Sequence, residues 1–183
     1  MIRPITALAL LTLSAVPATA AAPKVGDMAN DFTLKTPAGV PIRLASLREK
    51  GPVVLVVLRG WPGYQCPLCT KQVAQFLSKA AELDAAGAQV LLVYPGPADG
   101  LTAHAEEFAN AAPLPDNVHF VIDPDYSFTK LYDLRWDAPK ETAYPSTLVI
   151  DPRGKITSAK VSHSHGDRAP IADVLAALAR STR

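Results

Sequence analysis

The sequence has two cysteines, and they stand three residues apart in Cys66-Pro67-Leu68-Cys69. Sulfurs at that spacing on a helix are near enough to join as a disulfide. Only the thiolate is a nucleophile, and an ordinary thiol of pKa about 8.5 is mostly protonated at neutral pH. A helix N-terminus favours the thiolate, because its free N–H groups and dipole attract negative charge. Arg59 and Lys71, on either side of the pair, can add positive charge. Two other uses fit less well. A staple across four residues would stabilise by roughly 2 kcal/mol, against about 4.7 for a 100-residue loop. Two cysteines also make only half of a tetrahedral zinc site. The pattern therefore points to thiol–disulfide redox chemistry.

The elements that position the pair are legible around it. Val53–Leu58 is an unbroken apolar run, expected as a strand buried on both faces. Arg59, Gly60 and the Pro62-Gly63 turn lead into a helix expected from Cys66 to about Ala86, stopped by Gly87. Pro67 suits its first position, where no N–H is required. Cys69, Val73, Phe76, Leu77, Ala80 and Leu83 fall in one apolar stripe, which turns Cys69 toward the sheet. Cys66, a turn earlier, is expected to reach solvent. Those positions make Cys66 the attacking sulfur and Cys69 the resolving one.

The remaining chain alternates strand and helix. Asp31–Leu34 and Val40–Leu44 form a hairpin, with Pro41 marking an edge strand and Ser46 capping a single following turn. Strands are expected at Gln89–Tyr94, Val118–Ile122, Pro145–Ile150 and Lys155–Val161, and helices at Thr102–Asn110, through Phe128–Tyr132, and from about Asp167 or Pro170. Arg135–Tyr144 is an irregular charged loop. The fold expected is α/β, a three-layer domain with a mixed central sheet, helices on both faces and an N-terminal hairpin extension. Trp61 and Tyr64 flank the cysteines as a possible apolar rim. His163 and His165 lack a visible third metal ligand, and His104 and His119 read as surface or core residues.

Composition narrows the function classes. A 183-residue chain that is 49% hydrophobic can bury one ordinary core, and a net charge of +1 gives no electrostatic case for nucleic acid. No metal or other cofactor is expected. Residues 1–20 read as a secretory signal peptide and 21–183 as one domain. Arg3 supplies the positive region, Ile5–Val16 the apolar region, and Pro17-Ala18-Thr19-Ala20 the cleavage site. The apolar stretch is shorter than the ~20 residues of a membrane span, so no stable membrane insertion is expected after cleavage. The expected destination is secreted or periplasmic, where the pair can rest as a disulfide and a reductive cycle needs an outside donor.

In order along the chain, several stretches resemble the alkyl hydroperoxide reductase/thiol-specific antioxidant family, the peroxiredoxin-like branch of the thioredoxin-fold superfamily. They are Val25-Gly26-Asp27 with Asp31-Phe32-Thr33-Leu34, the strand leading to Cys66-Pro67-Leu68-Cys69, Ala86–Val90, Val121–Asp125 and Tyr144–Ile156. The resemblance implies a thioredoxin-like fold, a peroxide-reducing Cys66 and an external dithiol reductant such as a thioredoxin-like donor. It also implies that Pro145 is the superfamily's cis-proline, held against the cysteines. Two positions depart from the pattern. Arg59 and Gly63 stand where the family usually has a proline and a threonine, and no arginine follows Pro145 until Arg153. Arg59 or Arg135 would then have to polarise a peroxide. The Cys-x-x-Cys spacing keeps a second function open, exchange with protein disulfides, and a third, a non-enzymatic redox sensor.

Overall fold

The computed structural model describes residues 21–109 and 113–181. The leader-like residues 1–20 and Asn110, the last residue of an expected helix, lie outside them. Thirteen elements follow in order: β1 (Thr33–Lys35), β2 (Pro41–Arg43), α1 (Leu44–Arg48), β3 (Val53–Val57), α2 (Pro67–Ser78), α3 (Ala80–Ala85), β4 (Gln89–Gly96), α4 (Leu101–Ala109), β5 (Val118–Pro124), α5 (Ser127–Leu131), β6 (Ser146–Ile150), β7 (Ile156–Val161) and α6 (Ile171–Ser181). The strands form one mixed sheet in the order β2-β1-β5-β4-β3-β6-β7. Strand β3 runs parallel to β4 and antiparallel to β6. This is the expected three-layer α/β domain, with Pro41 on the edge strand β2 as its missing N–H requires.

Alternation along β3 explains the layers. Val54, Val56 and Leu58 face one apolar cluster, which holds both cysteines, Phe76 of α2, Leu101 of α4 and Leu178 of α6. Val53, Leu55 and Val57 face the other, with Leu44 and Leu47 of α1 and Phe128 of α5. Every residue of β3 is buried, which is why the sequence there is an unbroken apolar run.

Four expectations are corrected in detail. The helix after the cysteines is two helices, broken at Lys79 (φ −111°, ψ 10°). Ser78 contributes to the break, since its hydroxyl donates to the Gln75 carbonyl (2.8 Å) in place of a regular backbone partner. Ser46 does not cap α1. Asp31 reaches across instead, accepting the Ala45 N–H (2.9 Å) and pairing with Arg43 (2.6 Å). Strand β4 runs on through Pro95 and Gly96, which pair with Asp123 and Pro124 of β5. Finally, no cis peptide bond occurs among the described residues, so the bond before Pro145 is trans.

The extension of β4 matters because the cysteine loop is built on it. The Trp61 N–H donates to the Pro95 carbonyl (2.9 Å), bringing Gly60 hard against that peptide. Gly60 has φ +67°, and a Cβ there would lie 1.9 Å from the Pro95 oxygen. Gly63, at φ +103°, faces open space instead. Gly60→Ala is expected to lose about 2–5 kcal/mol in urea unfolding, from left-handed strain plus overlap, and Gly63→Ala only the strain, about 1–2 kcal/mol.

Candidate active site

Cys66 occupies the N-cap of α2 with extended backbone (φ −79°, ψ 111°), and Pro67 follows at the first helical position. The loop before it is tied down at its far end by Gln65. That side chain donates to the His104 carbonyl (2.9 Å) and to Glu107 (3.0 Å), and accepts from the Tyr94 hydroxyl (2.8 Å). Burial holds the Tyr94 hydroxyl above the usual phenol range, so it remains a donor. Trp61 stacks on His104 of α4 at 3.5 Å, while Tyr64 stays 45% exposed. The rim expected beside the cysteines is thus one packed indole and one open phenol.

Neither cysteine is in a disulfide, and both are buried: Cys69 at 0% exposure and Cys66 at 3%. The expectation that Cys66 reaches solvent is corrected. Arg168 of a later segment reaches its sulfur, which belongs to the same apolar cluster as Cys69. The two thiols nonetheless differ sharply. A hydrogen bond from the Cys69 thiol, opposed by burial, draws Cys66 down to about 5. The start of α2 and the charge of Arg168 act in the same direction. Cys69, donating that hydrogen bond and deeply buried, is pushed well above an ordinary thiol. Both shifts favour the negative charge on Cys66 and the proton on Cys69.

Arg168 was not among the residues expected at the site. Its Nη2 lies 3.4 Å from Cys69 Sγ and 3.9 Å from Cys66 Sγ. Its Nε donates to the His165 carbonyl (3.1 Å) and its Nη1 to Oε1 of Gln72. Gln72 is buried on α2, one turn after Cys69, and its amide reaches Thr147 of β6 (3.4 Å). Ninety-nine residues separate Arg168 from Cys69, so local spacing gave no sign of it.

The arginines expected to polarise a substrate are placed elsewhere. Arg59 is 3% exposed, and its guanidinium turns from the sulfurs to Glu141 (2.8 Å), the Lys140 carbonyl (2.7 Å) and the Tyr64 hydroxyl. Only its backbone N–H serves the pair, donating to Cys69 Sγ (3.3 Å). Burial would raise the Glu141 carboxyl, but hydrogen bonds from Arg59 and His165 hold it below the usual range. Arg135 packs on the Tyr126 ring (4.0 Å) and donates to the carbonyls of Trp136, Glu141 and Thr142, knitting its own loop. Pro145 is buried at the start of β6, beside the end of β3, and its carbonyl accepts from Ser162 N–H (3.0 Å). Among the described residues no cluster of three or more metal-ligating side chains exists, and His165 is engaged with Glu141 (2.9 Å).

Residues 25–159 match the AhpC/TSA family. The chain belongs to that family. Its members are thiol-dependent oxidoreductases, and this AhpC/TSA protein is one. Peroxidoxin BcpB from Mycobacterium tuberculosis is 27% identical, covering 87% of this chain and 98% of its own, with a TM-score of 0.67. A putative thiol:disulfide interchange protein DsbE from Chlorobium tepidum is 25% identical over 85% of this chain and 98% of its own, with a TM-score of 0.62. A peroxiredoxin-like protein from Aquifex aeolicus shares the fold at a TM-score of 0.71 and 18% identity, covering 88% of this chain and 90% of its own. No curated protein matches the chain. Arg168 lies beyond the stretch that defines the AhpC/TSA match.

Two substitutions separate the roles of these groups. Cys69→Ala removes the hydrogen bond to Cys66, and the ultraviolet thiolate absorbance is expected to rise at higher pH than in the parent. Arg59→Met leaves Glu141 without its main partner and is expected to cost about 3–5 kcal/mol in urea unfolding, with the thiolate midpoint unmoved.

Proposed function

We propose that the protein is an exported thiol-dependent peroxidase in which Cys66 attacks and Cys69 resolves. The observation that carries this reading is the unequal sulfur pair: a buried Cys66 thiolate beneath the Arg168 guanidinium, hydrogen-bonded by the Cys69 thiol. The thiolate attacks one oxygen of a hydroperoxide. Its S–O bond forms as the O–O bond breaks, the departing alkoxide takes a proton and leaves as an alcohol or water, and Cys66 becomes a sulfenic acid. Arg168, in contact with both sulfurs, supplies a cation beside the reacting centre. The Cys69 sulfur then displaces hydroxide from Cys66, which leaves as water with the proton of the Cys69 thiol. An external dithiol donor reduces the resulting disulfide and is itself oxidised.

Burial favours a peroxide over a protein disulfide. At 3% exposure Cys66 is easier to reach for a two-oxygen group than for a protein disulfide, which must bring two sulfurs in line with it. Export rests on the leader-like residues 1–20, and the outside donor follows from export. A second reading, exchange with protein disulfides, is favoured by the Cys-x-x-Cys spacing, by Gly63 in place of the usual threonine and by the likeness to the DsbE protein. A redox sensor would share the chemistry but turn over slowly.

Stopped-flow oxidation of the reduced protein separates the three. Hydrogen peroxide or an alkyl hydroperoxide is expected to oxidise Cys66 orders of magnitude faster than a free thiol, with turnover when a dithiol donor is added. Rapid exchange with a disulfide-bonded protein, without a fast peroxide reaction, would replace this reading with the second. Fast peroxide oxidation without turnover would leave the sensor.

A further inference from the structure

The segment joining β7 to α6, residues 162–170, reaches both sulfurs of the cysteine pair through Arg168. The segment has other side-chain anchors: Ser162 is fully buried, His163 meets the Tyr144 ring edge-on (4.8 Å), and His165 lies against the Trp136 ring (5.2 Å). Lys160 pairs with Asp167 (2.7 Å), but those side chains are 43% and 54% exposed, and such pairs contribute little. His165 meets Glu141 (2.9 Å), and Gly166 has nothing within 4 Å of where a Cβ would stand. Among the described residues, no carboxylate lies within ion-pair distance of the Arg168 guanidinium. Its neighbours are two neutral oxygens and the two sulfurs. Among the described residues, the negative charge already in contact with it is the one a thiolate supplies.

That charge depends on redox state. Reducing the disulfide takes two electrons and, with one sulfur left ionised, one proton, giving one thiolate and one thiol. Oxidation removes the same charge. The guanidinium keeps its own charge throughout. We propose that Arg168 is a redox latch: it holds residues 162–170 over the pair while a thiolate is present, and disulfide formation releases it. Arg168 also lines a cavity of about 440 Å³, together with Thr147, Lys160, Asp167 and Asp173. It gives the released guanidinium room and carboxylates to turn toward. The inference rests on Cys66 and Cys69 being a redox pair, and it adds a position of the chain tied to their state.

Linkage makes the latch measurable from both ends. Whatever free energy the thiolate contributes to holding Arg168, Arg168 contributes to stabilising the reduced pair. Arg168 therefore makes the disulfide easier to reduce. The test is a glutathione redox titration of the parent, Arg168→Met and Arg168→Lys, with hydrogen exchange of residues 162–170 in both redox states. Arg168→Met is expected to shift the equilibrium toward the disulfide by about tenfold, or about 30 mV more negative for a two-electron couple. Arg168→Lys should recover part of that shift, since it restores charge but not the fork to Gln72 and the His165 carbonyl. In the parent, residues 162–170 should exchange about tenfold faster when oxidised, and in Arg168→Met at the same rate in both states. An unmoved or less negative potential in Arg168→Met would overturn the latch, as would equal exchange in the reduced and oxidised parent. If Arg168→Met does not fold, the Arg168→Lys potential and the parent's exchange decide it. A parent protein that forms no Cys66–Cys69 disulfide at any glutathione ratio would be a different failure, removing the redox reading itself.

Discussion

Two sulfurs placed in an apolar interior cannot both ionise. Taking charge out of water is expensive, and a second like charge beside the first is more so. The site therefore settles as one thiolate and one thiol, joined by a hydrogen bond, and the surroundings decide which sulfur is which. The start of α2 lies at Cys66, and the deepest burial lies at Cys69. Both push the proton the same way. The cation at 3.4–3.9 Å compensates the charge that remains. The asymmetry matters to the proposed reaction because only the thiolate is a nucleophile and an ordinary thiol is mostly protonated at neutral pH.

Much of the fold holds this arrangement still. Strand β3 delivers the loop, the Pro95 peptide fixes its first residues through Gly60 and Trp61, and Gln65 fixes its last to Tyr94 and α4. Arg59 works from behind. Its guanidinium is spent on Glu141, Lys140 and Tyr64, and its backbone sets one N–H on the Cys69 sulfur. The Thr142 hydroxyl donates to the Arg59 carbonyl, so the loop before β6 is tied to the same point. These contacts restrict the sulfurs to one geometry, which is what a preorganised nucleophile requires.

The layout was largely legible in the sequence because its signals are local. An unbroken apolar run gave β3, a three- and four-residue stripe gave the buried face of α2, and Pro67 marked the first helical position. What the sequence hid is long-range. Arg168 meets Gln72 and the two cysteines across 96 to 102 residues, from a segment that reads as an ordinary polar loop. The pull of local spacing also favoured Arg59, which stands close to Cys66 in sequence but turns its charge away. Cys66 at the end of a helix looked exposed, and only the packing of the following segments shows it covered. The break at Lys79 was missed for a related reason, since the apolar stripe continues through it at nearly helical spacing.

The central claim is that Cys66 holds the negative charge and Cys69 the proton. Site-resolved carbon NMR of the two cysteine Cβ atoms, followed through pH in the reduced protein, tests it most directly. Cys66 should titrate near 5, and Cys69 should stay protonated beyond the range of an ordinary thiol. Ionisation of Cys69 first, or of both sulfurs together near the ordinary thiol value, would contradict the claim.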